Sequence, residues 1–246
     1  MTDQLPLRLP RAAAGQAEPP TLITLSKTDK YYLITMSHGQ DNRMTSAFNM
    51  AFLQALDVLE TVHLPRQRLP LVTTSANPKF FSNGLDLQHA ISTHRFWNDS
   101  FYMLMQRLLA YPVPCIAWIN GHAFAGGFII AMCHDYRVMN PDKGFLCMNE
   151  IEFDAPLKGP LSSLFRQKTT PTQYQRIALE AARFTSEAAL REGLIHARGA
   201  EPEVAALAAK LGRVAQANAY GEMKETMWAE TIAWCNTEFK DSERRV

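Results

Sequence analysis

The apolar stretch over residues 113–133 constrains the fold of this chain more than any other segment. Its hydrophobicity alone would suit a membrane-spanning helix, because about 20 consecutive apolar residues can cross a bilayer. However, Pro114, Gly121 and the Gly126-Gly127 pair interrupt the stretch with turn-forming residues. We therefore interpret it as a buried strand, a turn and a buried helix, and not as a membrane span.

The rest of the chain alternates between short strands and helices before it becomes entirely helical. We expect strands over residues 22–26, 31–36, 71–75, 115–120, 136–139 and 145–148, and helices over residues 45–62, 98–110, 126–133, 172–182, 186–192 and 203–237, the last with a break near Gly221. This order predicts an α/β core with a helical C-terminal part. The corresponding division is a flexible arm over residues 1–20, a core over 21–198 and a helical region over 199–246.

The composition excludes several classes of function. Lys plus Arg total 25 and Asp plus Glu total 24, so the net charge of +1 gives no field for binding nucleic acid or an acidic membrane surface. The four cysteines include no Cys-x-x-Cys pair, and we expect them to be reduced and buried. The seven histidines show no His-Glu-x-x-His pattern, so no metal site is expected.

The two ends of the chain carry no targeting signal that we recognise. The first 20 residues lack the apolar segment of a secretory signal, and the final Glu-Arg-Arg-Val is not a peroxisomal tripeptide. We expect a soluble intracellular protein, with the choice between cytosol and peroxisome left open.

Two glycine-containing turns carry the first chemical signal. FFSNGLDL spans residues 80–87 and INGHAFAGGFIIAMCHD spans residues 119–135, and each follows a predicted strand. Glycine lets a backbone approach a ligand closely, and the Gly126-Gly127 pair opens a helix whose first N–H groups lack intrahelical partners. Two such turns facing each other would hold an oxyanion between main-chain donors. Taken alone, each turn is more often an ordinary tight turn.

The two turns, their order and their separation resemble the crotonase, or enoyl-CoA hydratase/isomerase, superfamily. The similarity covers roughly residues 20–240 and is strongest over PVPCIAWINGHAFAGGFIIAMCHDYRVM, residues 112–139. The resemblance implies an α/β fold, a crotonase-like ββα spiral core with a helical C-terminal trimerisation region. It also implies that the N–H groups of Leu85 and Gly126 form an oxyanion hole for a thioester carbonyl. Other residues of the turns would then lie along the path of the CoA substrate: Ser82, Gly84, Asp86, Leu87 and Gly127.

The reaction depends on which carboxylates enter the pocket. Hydratases of this superfamily use two, one on the helix after the second turn and one after the following strand. Here the first position is Ile129, which cannot activate water, and the second is Glu150 in LCMNEIEF, which resembles plant and fungal Δ3,Δ2-enoyl-CoA isomerases. One carboxylate is what an isomerase needs, and an apolar pocket would raise the pKa of Glu150. Without the resemblance, Glu150 would be interpreted as a surface charge, as Glu152 is.

Asp154 and two basic residues complete the candidate site. Relatives normally have glycine at Asp154, and three roles remain open for this side chain: a second acid, a ligand for polar substrate groups, or a residue of a bent loop. Ala125 also replaces a common family glycine. The 3′-phosphate of CoA needs cations, and Arg43 and Lys224 are the candidates, each with a solvated surface role as the alternative.

The resemblance further implies a homotrimer or a dimer of trimers, and no cofactor beyond the CoA of the substrate. The resulting interpretation is a Δ3,Δ2-enoyl-CoA isomerase of fatty acid β-oxidation. Two alternatives remain open. One is a crotonase-fold tailoring enzyme that acts on another acyl-CoA thioester, and the other is a catalytically degenerate protein that binds CoA esters.

Overall fold

The elements of this protein follow one another in short strands and mostly short helices. The structure, a computed structural model, describes residues 4–11 and 16–237. The strands are β1 (Leu7–Leu9), β2 (Ile23–Lys27), β3 (Tyr32–Met36), β4 (Leu71–Ser75), β5 (Phe80–Ser82), β6 (Cys115–Ile119), β7 (His122–Phe124), β8 (Tyr136–Met139), β9 (Leu146–Cys147) and β10 (Ala197–Arg198).

The helices lie between these strands and then fill the C-terminal part. They are α1 (Ser46–Val58), α2 (Leu87–Ser92), α3 (Tyr102–Leu109), α4 (Gly126–Cys133), α5 (Gly159–Lys168), α6 (Pro171–Leu179), α7 (Ser186–Arg191), α8 (Glu201–Leu211), α9 (Tyr220–Met227) and α10 (Ala229–Cys235). Single turns of π-helix cover Leu59–His63 and Trp97–Phe101, and 3₁₀ turns cover Glu150–Phe153 and Val214–Gln216.

Within the described residues the strands form two sheets of different size. The large sheet has the order β1-β2-β3-β4-β6-β8-β10, antiparallel from β1 to β3 and parallel from β3 onward. The small sheet has the order β5-β7-β9 and is parallel throughout.

The chain alternates between the two sheets in a strand–strand–helix repeat. The pair β4 and β5 precedes α2 and α3, the pair β6 and β7 precedes α4, and the pair β8 and β9 precedes α5. The first strand of each pair joins the large sheet and the second joins the small one. Three repeats therefore bring their second strands side by side, with all three carboxyl ends at one edge of the small sheet, where parallel α/β sheets usually bind ligands.

The large sheet is buried on both faces, which explains the nearly continuous apolar sequence of its parallel strands. Val72, Ile116 and Val138 belong to a buried cluster that includes Val204 and Ala208 of α8. The alternate strand residues join the main core, which contains α4. All eight residues of α4 are buried, as expected for a helix that is apolar on every side.

Most of the predicted elements are confirmed within a few residues. The strands at Tyr32–Met36, Leu71–Ser75 and Tyr136–Met139 and the helix at Gly126–Cys133 match closely, and Thr45 caps α1 by accepting a hydrogen bond from the Phe48 N–H. The four cysteines are buried and unbonded to one another, as expected. The helix predicted over residues 203–237 is divided among α8, a 3₁₀ turn, α9 and α10.

The N-terminal segment differs from the flexible arm that was predicted over residues 1–20. Leu7–Leu9 forms β1, which pairs with β2 in antiparallel register, and Leu7 and Leu9 are buried in the main core. Residues 1–3 and 12–15 lie outside the described part of the chain. Prolines on either side of the strand obscured the alternation of apolar and polar residues that identifies it.

Among the described helices, none has both the length and the hydrophobicity that a bilayer crossing requires. The apolar segment over residues 113–133 is divided into β6, β7 and α4, in agreement with the interpretation of its glycine and proline residues.

The role of β1 can be tested at two neighbouring positions with opposite orientation. Leu9→Ala should lower the free energy of unfolding by about 2–3 kcal/mol, because it removes buried methyl groups from the core. Arg8→Ala is the matched control, since Arg8 is exposed between the two buried leucines. Urea unfolding of both variants measures the difference, and equal stability of the two would show that β1 is not docked in solution.

Candidate active site

Three turns meet at the edge where the strands of the small sheet end. The segment from Asn83 to Leu85 follows β5, Ala125 and Gly126 follow β7, and the 3₁₀ turn that begins at Glu150 follows β9. The Ala125 N–H donates a 2.9 Å hydrogen bond to the carbonyl of Cys147, the last residue of β9. The two glycine turns and Glu150 therefore lie at the same edge of the small sheet, because β5, β7 and β9 are adjacent and parallel.

The two glycine turns are packed directly against each other. A Cβ atom added at Gly84 would lie 2.9 Å from the Ala125 Cβ and 3.0 Å from the Gly126 nitrogen, and one added at Gly126 would lie 3.1 Å from the Leu85 Cδ2. Gly84 also has a φ of +88°, in the region that L side chains rarely adopt. The spacing of this motif is thus explained by the close approach of two backbones.

Both of the predicted main-chain donors have the orientation that leaves them free for a ligand. Met44 and Leu85 form a parallel bridge, in which the Met44 N–H donates to the Gly84 carbonyl at 2.8 Å and the Asp86 N–H donates to the Met44 carbonyl at 3.1 Å. In this pattern the N–H of the central residue, Leu85, points away from Met44. The N–H of Gly126, the first residue of α4, has no intrahelical acceptor and lies at the positive end of the helix dipole.

Glu150 is partly buried, with one carboxylate oxygen enclosed. Its Oε2 atom is buried and has no hydrogen-bond partner among the described residues. Burial raises the pKa of Glu150 to about 7, and a hydrogen bond from its own backbone N–H offsets part of this effect. A carboxylate that ionises near neutral pH is suited to accept a proton from carbon and return it.

The position on α4 that the resemblance assigns to a hydratase carboxylate is filled by a buried aliphatic side chain. Ile129 is fully buried on α4, and its N–H donates to the Ala125 carbonyl at 3.0 Å. No carboxylate occurs in the α4 sequence, which reads GGFIIAMC. This helix therefore contributes main-chain donors and apolar surface, but no acid or base.

Asp154 occupies a left-handed backbone position at the end of the 3₁₀ turn. Its φ of 54° and ψ of 30° are tolerated best by glycine and next by Asn and Asp. The side chain is exposed. Of the three roles left open by the sequence, the structure gives direct support to a residue of a bent loop, and a contact of Asp154 with substrate stays a prediction.

Ser82 supports the first turn from beneath. It is fully buried, and its hydroxyl donates to the Asn42 carbonyl at 2.8 Å and accepts from the Gly84 N–H at 3.2 Å. Asn42 is itself buried, and its amide nitrogen donates to the Ser75 hydroxyl at 2.6 Å and to the Phe81 carbonyl at 3.1 Å. Asn42 was not predicted as a site residue from the sequence, although an asparagine in a short polar loop is a common signal for the positive φ of 52° that it adopts.

The remaining residues of the two turns have distinct placements. Asp86 caps α2 by accepting a hydrogen bond from the His89 N–H at 3.0 Å, and Leu87 is half exposed on the same helix. Gly127 lies so close to the Ser82 carbonyl that an added Cβ atom would overlap it. Gly84 and Gly127 therefore shape the turns, whereas Leu87 is on the surface and accessible to a ligand.

The two basic candidates lie in different environments. Arg43 is on the surface, where its Nε atom is 3.0 Å from the Asp41 carboxylate, and its role toward CoA stays a prediction. Lys224 is buried, and its ammonium is 3.0 Å from the Asp135 carboxylate and donates to the Leu108 carbonyl at 2.9 Å. The expectation that Lys224 binds a CoA phosphate is therefore wrong in this structure, because the ammonium is already paired inside the protein.

Comparison with known proteins agrees with this geometry. The profile of the family described as "Enoyl-CoA hydratase/isomerase" matches residues 29–237. The chain is 28% identical to the peroxisomal enoyl-CoA delta isomerase 1 of Arabidopsis thaliana over 86% of this chain and 91% of that protein. It is 30% identical to the peroxisomal enoyl-CoA delta isomerase 2 of the same plant over 74% of this chain and 79% of that protein. The apo structure of an enoyl-CoA isomerase from Mycobacterium tuberculosis superposes with a TM-score of 0.73 at 27% identity, covering 87% of this chain and 94% of that one.

The raised pKa of Glu150 predicts a pH-dependent difference in stability. Because the folded-state pKa lies above the unfolded value, the stability associated with the protonated carboxyl is complete below about pH 4.5 and is lost as the pH rises through about 7. Glu150→Gln removes this loss. Between pH 4.5 and pH 8, the free energy of unfolding of the variant should therefore increase relative to that of the parent protein, by at most about 3 kcal/mol. Urea unfolding at the two pH values measures the gain, and a constant difference would show that the carboxyl is solvated.

Ala125 predicts a second effect on stability. Its φ of 48° and ψ of −121° belong to a region that is nearly restricted to glycine. Ala125→Gly should raise the free energy of unfolding by about 1 kcal/mol. This is the backbone strain that the substitution relieves, minus the entropic cost of ordering a glycine. Ala123→Gly, in the ordinary strand β7, should lower it by a similar amount. Thermal unfolding of the pair gives both values, and two losses of similar size would contradict the strain.

Proposed function

The chain belongs to the enoyl-CoA hydratase/isomerase family, and we propose that within this family it acts as a Δ3,Δ2-enoyl-CoA isomerase. The proposal depends on one observation: the site has a single partly buried carboxylate, Glu150, while the aliphatic residue Ile129 occupies the other acid position. Such a site can move a proton between two carbons. It has no second carboxylate on α4 with which to position and activate water.

The main-chain donors would stabilise the charge that develops on the thioester. In the proposed complex the carbonyl oxygen of the acyl-CoA accepts hydrogen bonds from the N–H groups of Leu85 and Gly126. Proton removal from C2 moves an electron pair onto this oxygen, and two fixed amide dipoles then lower the energy of the resulting anion. The dipole of α4 favours the same negative charge at its N-terminus.

Glu150 would act first as a base and then as an acid. Its carboxylate accepts the C2 proton, and a dienolate forms over the thioester oxygen, C2, C3 and C4. The carboxyl group then returns the proton to C4, so that the double bond moves from C3–C4 to C2–C3 and no proton is gained or lost overall. A pKa of about 7 makes both transfers accessible at neutral pH, because neither protonation state is strongly favoured.

The relatives support the direction of this proposal. The Arabidopsis proteins similar to this chain are named enoyl-CoA delta isomerases. We extend that activity to this chain, together with a role in fatty acid β-oxidation and assembly as a homotrimer or a dimer of trimers. The surface residues Arg43 and Leu87 are the proposed contacts for CoA, since both are accessible next to the first turn.

The central test compares two glutamates of the same 3₁₀ turn. With a 3-enoyl-CoA substrate, Glu150→Gln should lower kcat for isomerisation by roughly 100-fold or more, because it removes the base. Glu152→Gln is the matched control and should keep parent activity, since Glu152 is exposed. In the parent protein, kcat should fall as the pH is lowered below about 7, because the base becomes protonated. The double bond of the 2-trans product is conjugated with the thioester carbonyl, so its ultraviolet absorbance or its chromatographic separation gives the rates.

The same experiment separates the alternatives. Equal rates in the parent protein and Glu150→Gln would reject the base. Turnover of another acyl-CoA thioester with no isomerisation would favour a tailoring enzyme of the same fold. Binding of acyl-CoA with no turnover of any thioester would favour a protein that only binds CoA esters.

A further inference from the structure

The C-terminal end of α4 is held by a lysine that the proposed reaction does not use. Lys168 is the last residue of α5, and its ammonium donates to the carbonyls of Met132 at 2.5 Å and His134 at 3.1 Å. The same ammonium lies 4.3 Å from the centre of the Trp228 ring, between α9 and α10. One cation thus joins the end of α4 to the end of α5 and to the C-terminal helices.

Other polar groups fix the same end of the helix. The Arg137 guanidinium donates to the His134 carbonyl at 2.8 Å. Lys168 and Arg137 therefore both bind the carbonyl of the residue that directly follows α4. The buried His134 ring is hydrogen-bonded to the Ile130 carbonyl at 2.8 Å and to the Thr73 hydroxyl at 2.9 Å. Cations at the C-terminus of a helix interact favourably with its unpaired carbonyls and with its dipole.

The opposite end of α4 carries the proposed oxyanion donor. The helix has eight residues and is therefore about 12 Å long, and all of its side chains are buried. A short helix that is packed on every side moves as one body, so a shift at Cys133 is transmitted to Gly126. A Cβ atom added at Gly126 would lie 3.1 Å from the Leu85 Cδ2, so the first residue of α4 is packed against the residue that carries the other proposed donor.

We propose that Lys168 is a positioning residue for the oxyanion hole: its ammonium fixes the C-terminal end of α4 and thereby sets the place of the Gly126 N–H at the other end. This inference rests on the proposed role of Gly126 in holding the thioester oxygen. Lys168 touches neither substrate nor Glu150 in this scheme, and it acts through the helix alone.

The charge of Lys168 is sensitive to pH in its surroundings. Burial lowers the pKa of Lys168 to about 7, and the neighbouring cation of Arg137 lowers it further, while Asp135 opposes the change. Lys224 adds to the lowering, and the Cys133 thiol on α4 also faces the ammonium. The Lys168 ammonium is therefore charged at acidic pH and loses its charge as the pH rises through about 7.

The kinetic arm of the test uses three lysine variants. Lys168→Met should lower kcat by on the order of 10- to 100-fold, the scale expected when a catalytic group is displaced by up to an ångström, with a smaller change in KM. Lys168→Arg retains the charge and should restore most of the loss. Lys210→Met, at an exposed position on α8, is the control and should match the parent protein.

The structural arm does not depend on any reaction. Glycine-selective ¹⁵N labelling of Glu150→Gln reduces the spectrum to the twelve glycine N–H signals, among which that of Gly126 is assigned. The substitution also removes the carboxylate that ionises near pH 7. We expect this signal to shift with a midpoint near pH 7, and the shift to vanish in the double variant Glu150→Gln/Lys168→Met. The first half of this comparison needs no change at Lys168, so a Gly126 signal that does not shift as Lys168 loses its proton would overturn the proposal even if the Met variant does not fold.

Either of two results would overturn the proposal: a folded Lys168→Met protein with parent kcat, or a Gly126 signal that does not respond to the titration of Lys168. Failure of the proposed function has a different signature. In that case the parent protein has no isomerase activity, and the Gly126 signal alone reports whether Lys168 positions the helix.

Discussion

The close contact of two backbones at Gly84 and Gly126 is the constraint on which the rest of the site depends. A Cβ atom would collide with Ala125 at Gly84 and would press on Leu85 at Gly126. The absence of side chains at both positions lets the two turns approach closely enough for their N–H groups to bind one oxygen, as the proposed oxyanion hole requires. This contact in turn requires that β5 and β7 be adjacent, parallel and correctly registered. The alternation of the chain between two sheets satisfies that requirement, because it brings the second strand of each repeat into the same small sheet. The large hydrophobic core is therefore the support for a contact between a few backbone atoms.

Desolvation is the second physical theme, and it acts differently on different buried charges. Glu150 has a buried oxygen without a partner, which raises its pKa toward the value useful for proton transfer. Lys224 is more deeply buried but is paired with Asp135, and this pair connects α9 to the segment after α4. A charge that is buried and unpaired is costly, so its presence at a strand end indicates chemistry, whereas a paired charge indicates assembly of the fold.

The sequence predicted those parts of the structure in which local pattern and tertiary environment agree. The helix at Gly126–Cys133 and the parallel strands β4, β6 and β8 were located almost to the residue, whereas the two-residue strand β10 was not predicted. The strands β5 and β7 were not predicted, because three residues are too few to show a period and their stability comes from pairing with each other. The chemical types of the site residues were visible in the sequence. The burial of Lys224 was not, because its partner Asp135 is distant along the chain and only packing brings the two together.

The donors of the candidate site belong to the main chain, and this has a consequence for how such a protein changes over generations. A backbone N–H is retained by every amino acid except proline, so a substitution near it removes no donor as long as the packing that positions the turn is kept. Acid and base groups, by contrast, belong to side chains, and one substitution is enough to remove them. With Ile129 in place, α4 holds no carboxylate. The fold would therefore keep its proposed anion-binding donors while the side chains that supply an acid or a base change, so that related reactions could use the same backbone.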